Sequence, residues 1–366
     1  MKITIFGLSI TSSWGNGHAT TFRSLCRALW QRGHEIVFFE KDQEWYSGNR
    51  DMPEPPFCTT YIYQDWKRES PRVRRVLHDS DVVMVGSYVP GGATVIDDVL
   101  SSNVPVKAFY DIDTPITISK LRAGNAEYLR RDQVAEFDLY LSFTGGPMLK
   151  EIEDRFGASR ALPFYCSFDP ERYHFTPGPR FRCDLSYMGT YAPDRQAKID
   201  EFLCGPARRL PSSKFLVAGP LYPEDLRWPG NVRHIIHLEP KLHPGFYSSA
   251  RFTLNVTRAE MIAAGFSPSV RLFEAAACGA AIISDYWSGL ESFLQPGKEV
   301  LLPRSADDVV SFLQEMTEEE SRTIGRAAQQ RVLSEHTSAH RAVQFESYVE
   351  DALSSTAIRR ESAALG

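Results

Sequence analysis

Hydrophobic and polar positions fall into a repeating block pattern, short apolar runs followed by longer amphipathic stretches. Lys2 to Leu8 reads as a strand, Ser9 to His18 as a loop, about Ala19 to Arg32 as a helix, and Glu35 to Glu40 as a second strand. This is a βαβ opening. Strand-like runs recur at Asp81–Gly86, Val106–Tyr110 and Leu139–Phe143. Prolines 163, 170, 177 and 179 then interrupt the periodicity, as expected of a connection between domains. Alternation resumes with Leu185–Gly189, Lys214–Gly219, Val232–Leu238, Phe252–Val256, Ala280–Ser284 and Glu299–Leu302, and the longest intervening helix is expected over Ser305–Leu333. The pattern predicts an α/β protein of two Rossmann-like, doubly wound domains, over 1–165 and 183–338, joined by a linker over 166–182. A terminal helix, roughly His340 to Leu353 within 339–366, could belong to either half, with packing back on the N-terminal domain as one candidate. Ligands of such sheets bind beyond the carboxyl ends of the strands, and two such domains are expected to enclose a cleft.

One segment carries more chemistry than the rest. Ser267-Pro268-Ser269-Val270-Arg271-Leu272-Phe273-Glu274-Ala275-Ala276-Ala277-Cys278-Gly279 reads as a helix launched from a turn, with Ser267 as N-cap, Pro268 at the first helical position and Gly279 at its end. The first N–H groups of a helix lack internal partners and its dipole favours an anion there. Ser269, Val270 and Arg271 are therefore candidate diphosphate ligands, and Glu274, three residues on, offers a carboxylate for ribose hydroxyls. The plain alternative is a βα unit in which Arg271 and Glu274 simply pair. Arg195 and Arg258 are two further candidate phosphate clamps, because the guanidinium fork matches phosphate oxygens.

Composition adds bounds. The 366 residues carry a net charge of −5 and 24% charged residues, so no overall attraction to nucleic acid or an anionic surface is expected. The six cysteines are scattered without a C-x-x-C, which fits a reducing, cytoplasmic setting. No apolar run reaches the ~18 residues of a membrane span, and no signal peptide is read.

The segment from Gly265 to Asp285 resembles the donor-site segment of GT-B glycosyltransferases. The retaining members carry two glutamates eight positions apart; Glu274 matches the second, whereas Phe266 occupies the position of the first. The wording of 267–279, with Asn255-Val256-Thr257-Arg258 and Tyr187-Met188-Gly189-Thr190-Tyr191, is more similar to the bacterial spore-maturation CgeB-like branch. The resemblance implies a GT-B fold. It also implies a nucleoside diphosphate sugar, UDP- or GDP-linked, as donor, and transfer with retention to a small-molecule, glycan or protein acceptor. No other cofactor, metal or nucleic acid is expected.

His18, on the Gly15-Asn16-Gly17-His18 loop, and Asp113 are candidates for positioning the acceptor or the reacting sugar. Gly17, Asn16, Gly189, Tyr191, Gly219, Gly289 and Glu291 are candidate loop contacts, Glu291 as a substitute for the acid absent at 266. Three rival readings stand beside this one. Gly15-x-Gly17 with Glu40 resembles part of a dinucleotide fingerprint, but Thr20 stands at the third glycine position. Asp111-Ile112-Asp113 resembles a metal-binding D-x-D. His234, His237 and His243 suggest zinc, but the first two alternate to opposite faces of a strand. A sugar-nucleotide epimerase of GT-B shape and an inactive nucleotide-sugar binding protein are the alternative functions.

Overall fold

In the computed structural model the chain divides into two compact units, Met1–Cys166 with Ser338–Gly366, and Ser167–Thr337. The structure describes residues 1–15 and 17–364, with the side chains of 356–364 left aside.

The first unit holds a 7-stranded sheet, β1 (Lys2–Gly7), β2 (Glu35–Lys41), β3 (Thr59–Tyr63), β4 (Val82–Gly86), β5 (Val106–Asp111), β6 (Leu139–Ser142) and β7 (Ala161–Pro163), in the order β3-β2-β1-β4-β5-β6-β7. Every pairing is parallel. A parallel sheet is covered on both faces, so its strands are apolar at odd and even positions alike. Phe6, Val83, Val85 and Phe109 belong to the core on one face. Ile3, Ile5, Met84, Ala108 and Tyr110 belong to the core on the other. The second unit holds a 5-stranded parallel sheet, β8 (Cys183–Met188), β9 (Phe215–Ala218), β10 (Val232–Ile235), β11 (Ala250–Asn255) and β12 (Ala281–Ser284), in the order β10-β9-β8-β11-β12. In each sheet the chain reverses its direction of travel beside the first strand, at β1/β4 and at β8/β11. Open α/β sheets bind ligands at that switch point.

The departures from the expected pattern are local. β3 and β7 lie outside the expected pattern, and 299–302 supplies two isolated bridges, Leu301 to Ile283 and Val300 to Pro296, in place of the expected strand. β10 ends at Ile235 rather than Leu238. The single helix expected over 305–333 is two, Ala306–Glu315 and Glu318–Glu335, because Thr317 and Glu320 form a capping box that starts a new helix. The longest helix is Ser338–Ala364. Its Ala342, Phe345 and Val349 join one core of the first unit together with Ile3, Leu29 and Phe164.

Candidate functional site

The β8/β11 switch point is organised by Asn255, the last residue of β11 and 2% exposed. Its Nδ2 donates to Ser284 Oγ at 2.9 Å on neighbouring β12. Its Oδ1 accepts from Ser269 Oγ at 2.8 Å and from Arg271 Nη1 at 3.1 Å. Arg271 Nε donates to the carbonyl of Met188 at the end of β8. One guanidinium is thus tied to both strands that flank the switch point, and it lies 5.3 Å over the Tyr187 ring.

The helix that carries it runs Val270–Ala277. Its N-cap is Ser269, not Ser267, and Pro268 lies outside it. The Ser269 hydroxyl is engaged by Asn255 and does not cap, and the first turn contains no acid. The amino end of this helix therefore keeps the anion preference of its N–H groups and dipole.

Arg195, on the helix Pro193–Ile199, donates to the carbonyl of Thr190, while its Nε is buried without a partner. Burial, and then the like charge of Arg271, hold its guanidinium below the ordinary value. Neither Arg195 nor Arg271 forms an ion pair among the described residues. The Tyr187 hydroxyl is buried without a hydrogen-bond partner, and the Tyr222 hydroxyl donates to the Gly189 carbonyl at 3.2 Å. Two guanidinium groups that form no ion pair, a helix amino end and an unsatisfied phenol are what a multiply charged anion would satisfy. Arg258 differs. It stands 3.8 Å from both Asp194 and Glu260, so acids already offset its charge.

Glu274 lies one turn beyond Arg271 and is 6% exposed. The two do not pair. Burial pushes the Glu274 carboxyl up to about 7, against the opposing hydrogen bond from the Tyr173 hydroxyl and the charge of Arg271.

Gly189 and Gly219 bring two chain segments into close approach at this edge. A Cβ on Gly189 would lie 2.5 Å from the Tyr187 hydroxyl and 2.9 Å from Arg271 Nη2, and one on Gly219 would overlap the Gly189 carbonyl. Tyr191 packs edge-on to Tyr222 at 5.5 Å, and Tyr222 packs on Trp228 at 5.2 Å and on His234 at 5.0 Å. This aromatic cluster joins residues up to 43 positions apart (191 to 234), beyond the reach of any local pattern. His234 is used structurally, its Nε2 lying 2.9 Å from the Gly219 carbonyl.

Phe266 is a non-glycine residue in the left-handed region at φ 46°. Its N–H donates to Ser288 O at 2.6 Å, and its ring fills the space where Gly289 lacks a side chain. Glu291 is exposed two residues beyond Gly289 and accepts the Tyr286 hydroxyl.

In the first unit, His18 opens the helix His18–Gln31, whose N-cap is the exposed Gly17; Asn16 lies outside the described residues. Burial lowers the His18 imidazole to about 4, so it is neutral, and its Nδ1 has no partner. It meets Tyr88 edge-on at 5.4 Å, and Tyr88 donates its hydroxyl to Asp113 Oδ2 at 2.9 Å. Tyr88, another left-handed non-glycine residue at φ 63°, therefore links His18 to Asp113. The Asp111 carboxyl accepts from Tyr140 at 2.5 Å, from Thr117 Oγ1 at 2.7 Å and from the Asp113 N–H at 3.3 Å. Among the described residues no group of three His, Cys, Asp or Glu is placed to hold a metal. Glu40 accepts from Ile10 N at 2.6 Å, Thr11 N at 2.9 Å and Thr11 Oγ1 at 2.7 Å. It anchors the loop that leads to His18, a role its sequence context did not reveal.

Residues 195–347 match a family model described as glycosyl transferase-like. Among solved structures, sucrose-phosphate synthase from Thermosynechococcus elongatus superimposes with a TM-score of 0.68 at 14% identity, over 97% of this chain and 99% of that one. Anabaena Alr3699/HepE in complex with UDP and glucose gives 0.67 at 12% identity, over 96% and 100%. An α-glucosyltransferase (AGT) in complex with UDP gives 0.72 at 13% identity, over 96% and 100%. A search of curated protein sequences returns no match. The chain has the GT-B fold of these glycosyltransferases.

Proposed function

We propose that this protein is a retaining glycosyltransferase that takes a sugar from a nucleoside diphosphate donor and passes it to a hydroxyl acceptor. The observation that carries the reading is the pair Arg195 and Arg271, held by backbone carbonyls and without an ion pair among the described residues, near the Val270–Ala277 helix. The UDP named with two of the similar structures makes UDP the first donor nucleotide to test. The wording of 267–279 supports the CgeB-like branch.

In this reading the bond from the anomeric carbon to the diphosphate oxygen breaks, and its electron pair stays on the diphosphate. The acceptor hydroxyl attacks from the face that the diphosphate leaves, and its proton passes to a departing phosphate oxygen. No protein nucleophile is required. Arg195, Arg271, Ser269 and the N–H groups of Val270 and Arg271 stabilise the charge that grows on the leaving group, the kind of term worth several kcal/mol in a pre-organised site. Glu274 takes the donor ribose, exchanging the Tyr173 hydroxyl for ribose hydroxyls. Gly189, Tyr191, Gly219, Gly289 and Glu291 are loop contacts to the donor. In the first unit, neutral His18 with its open Nδ1 and Asp113 orient the acceptor.

Incubating the protein with a panel of UDP- and GDP-sugars, and following release of free nucleoside diphosphate, tests this. Release from one donor, slowed by Arg271→Ala, is the expected result. Tight nucleotide binding with no release from any donor would favour a binding protein. Conversion of the donor sugar without release would favour an epimerase.

A further inference from the structure

The helix Trp66–His78 in the first unit has two unlike faces. Val73 and Leu77 are buried in the core, and Trp66 Nε1 donates to Asp98 Oδ2 at 2.7 Å. On the other side Lys67, Arg68, Arg72, Arg74, Arg75 and His78 are all exposed. At 3.6 residues per turn these six fall on one continuous arc of the helix, opposite Val73 and Leu77. Acids account for only part of this charge. Glu69 takes Arg72 at 2.9 Å, Asp79 takes His78 at 3.0 Å, and Asp65 caps the backbone of Arg68 at 3.0 Å. The side chains of Lys67, Arg68, Arg74 and Arg75 form no ion pair among the described residues.

This face reverses the sign of a chain whose net charge is −5. Like charges one turn apart on a helix destabilise it slightly, so the cluster weakens its own helix. A surface of opposite charge would reverse that cost.

We propose that this face docks the protein on an anionic lipid surface. Charge complementarity is the first argument. A polybasic row near a negatively charged leaflet gains with each added Lys or Arg, and the negative remainder of the chain favours approach by this face alone. Geometry is the second. The cations run along a helix of about 20 Å, at ~1.5 Å per residue, and its opposite face is fixed in the core, so the row lies parallel to a plane. The third is an indole at the same sheet edge. Trp45, 52% exposed, follows β2, where Asp42 N–H donates to the Tyr63 carbonyl at 2.7 Å just ahead of the basic helix. Exposed Trp suits the headgroup layer. A nucleic acid would use the same cations, and the test includes it.

The experiment is sedimentation of the full chain with vesicles of phosphatidylcholine alone, and with one third phosphatidylglycerol. The expected result is binding to the anionic vesicles only, lost at least tenfold when salt rises from about 0.05 M to about 0.5 M. Replacing Lys67, Arg68, Arg74 and Arg75 together by Ser should abolish it, leaving the thermal melt and UDP affinity of the wild type. The single exchange Arg74→Glu should give a partial loss. Equal partition onto both vesicles, no partition, or an unchanged Ser variant would overturn the proposal. So would release of the protein from anionic vesicles by duplex DNA at matched phosphate concentration, which would assign the face to nucleic acid. UDP affinity is read separately, so failure of the donor-site reading leaves this result interpretable.

Discussion

Asn255 Oδ1 accepts from Arg271 Nη1 at 3.1 Å, while Arg271 Nε reaches the Met188 carbonyl. A side chain at the end of β11 thus fixes an arginine from the following helix over the end of β8. The geometry follows from the strand order, since β8 and β11 are neighbours in space although 61 residues lie between Met188 and Ala250. Arg271→Ala should weaken nucleoside diphosphate binding by about 1–3 kcal/mol, the range for losing a charged hydrogen bond. Asn255→Leu should produce part of the same loss by releasing the guanidinium. Titration calorimetry of both variants checks this; an unaffected Asn255→Leu would show that Arg271 needs no anchoring.

Gly189→Ala attacks the same geometry from the backbone. The added methyl group would stand 2.9 Å from Arg271 Nη2 and 2.5 Å from the Tyr187 hydroxyl. Both are side-chain ends and can move, so the fold should survive with an unfolding free energy lowered by about 1–2 kcal/mol. Nucleotide affinity should fall with it. A variant of lower stability and full affinity would place Gly189 outside the donor site.

Glu274 makes the pH dependence of stability specific. Its carboxyl is raised from 4.5 to about 7 on folding, chiefly by burial. Between those values the folded protein holds a proton that the unfolded chain has released. The stability it contributes is full below the unfolded value and is lost as pH rises through the folded one. Glu274→Gln, neutral throughout, should therefore gain in Tm relative to wild type from about pH 5 to about pH 8, with an upper bound of roughly 3 kcal/mol. A parallel pair of melting curves would contradict the buried carboxyl. In binding, Glu274→Ala should cost affinity for a whole nucleotide and little for inorganic pyrophosphate.

Glu40 holds the loop ahead of His18 through three donors. Glu40→Ala leaves buried N–H groups unpaired and should destabilise the first unit by about 2–4 kcal/mol. Hydrogen exchange should quicken at Ile10 and Thr11 before it does in β4. Unchanged protection at both amides would mean that the loop is held by other contacts.

The sequence carried the block architecture well, because parallel strands buried on both faces are apolar at successive positions. It carried the Arg271 helix because cap residues, arginine and glutamate lie within one short segment. The helix starts two residues later than local preference indicates: Ser267-Pro268 is a good helix start, but the N-cap is Ser269, whose hydroxyl is claimed by Asn255, 14 residues away in sequence. β3 is weakly marked in the sequence because Thr59–Tyr63 is an edge strand with Thr59 and Ile62 exposed, so its apolar pattern is weak. The break between Ala306–Glu315 and Glu318–Glu335 was written in Thr317 and Glu320 as a capping box, under a continuing helical period. Tyr88 and the Tyr191, Tyr222, Trp228 and His234 cluster were not legible, since their partners meet only after the sheets form. Of the aromatic residues near β3, Tyr46 and Tyr63 are buried, Tyr61 and Trp66 pack on the core, and Trp45 is exposed.

The most direct test of the central claim is calorimetric titration of UDP and GDP, without added metal, into wild type and into Arg195→Ala/Arg271→Ala. One nucleotide should bind the wild type, and the double variant, still folded, should lose at least about tenfold in affinity, equal to ~1.4 kcal/mol. No binding of either nucleotide to folded wild type, or the same affinity in the double variant, would contradict it.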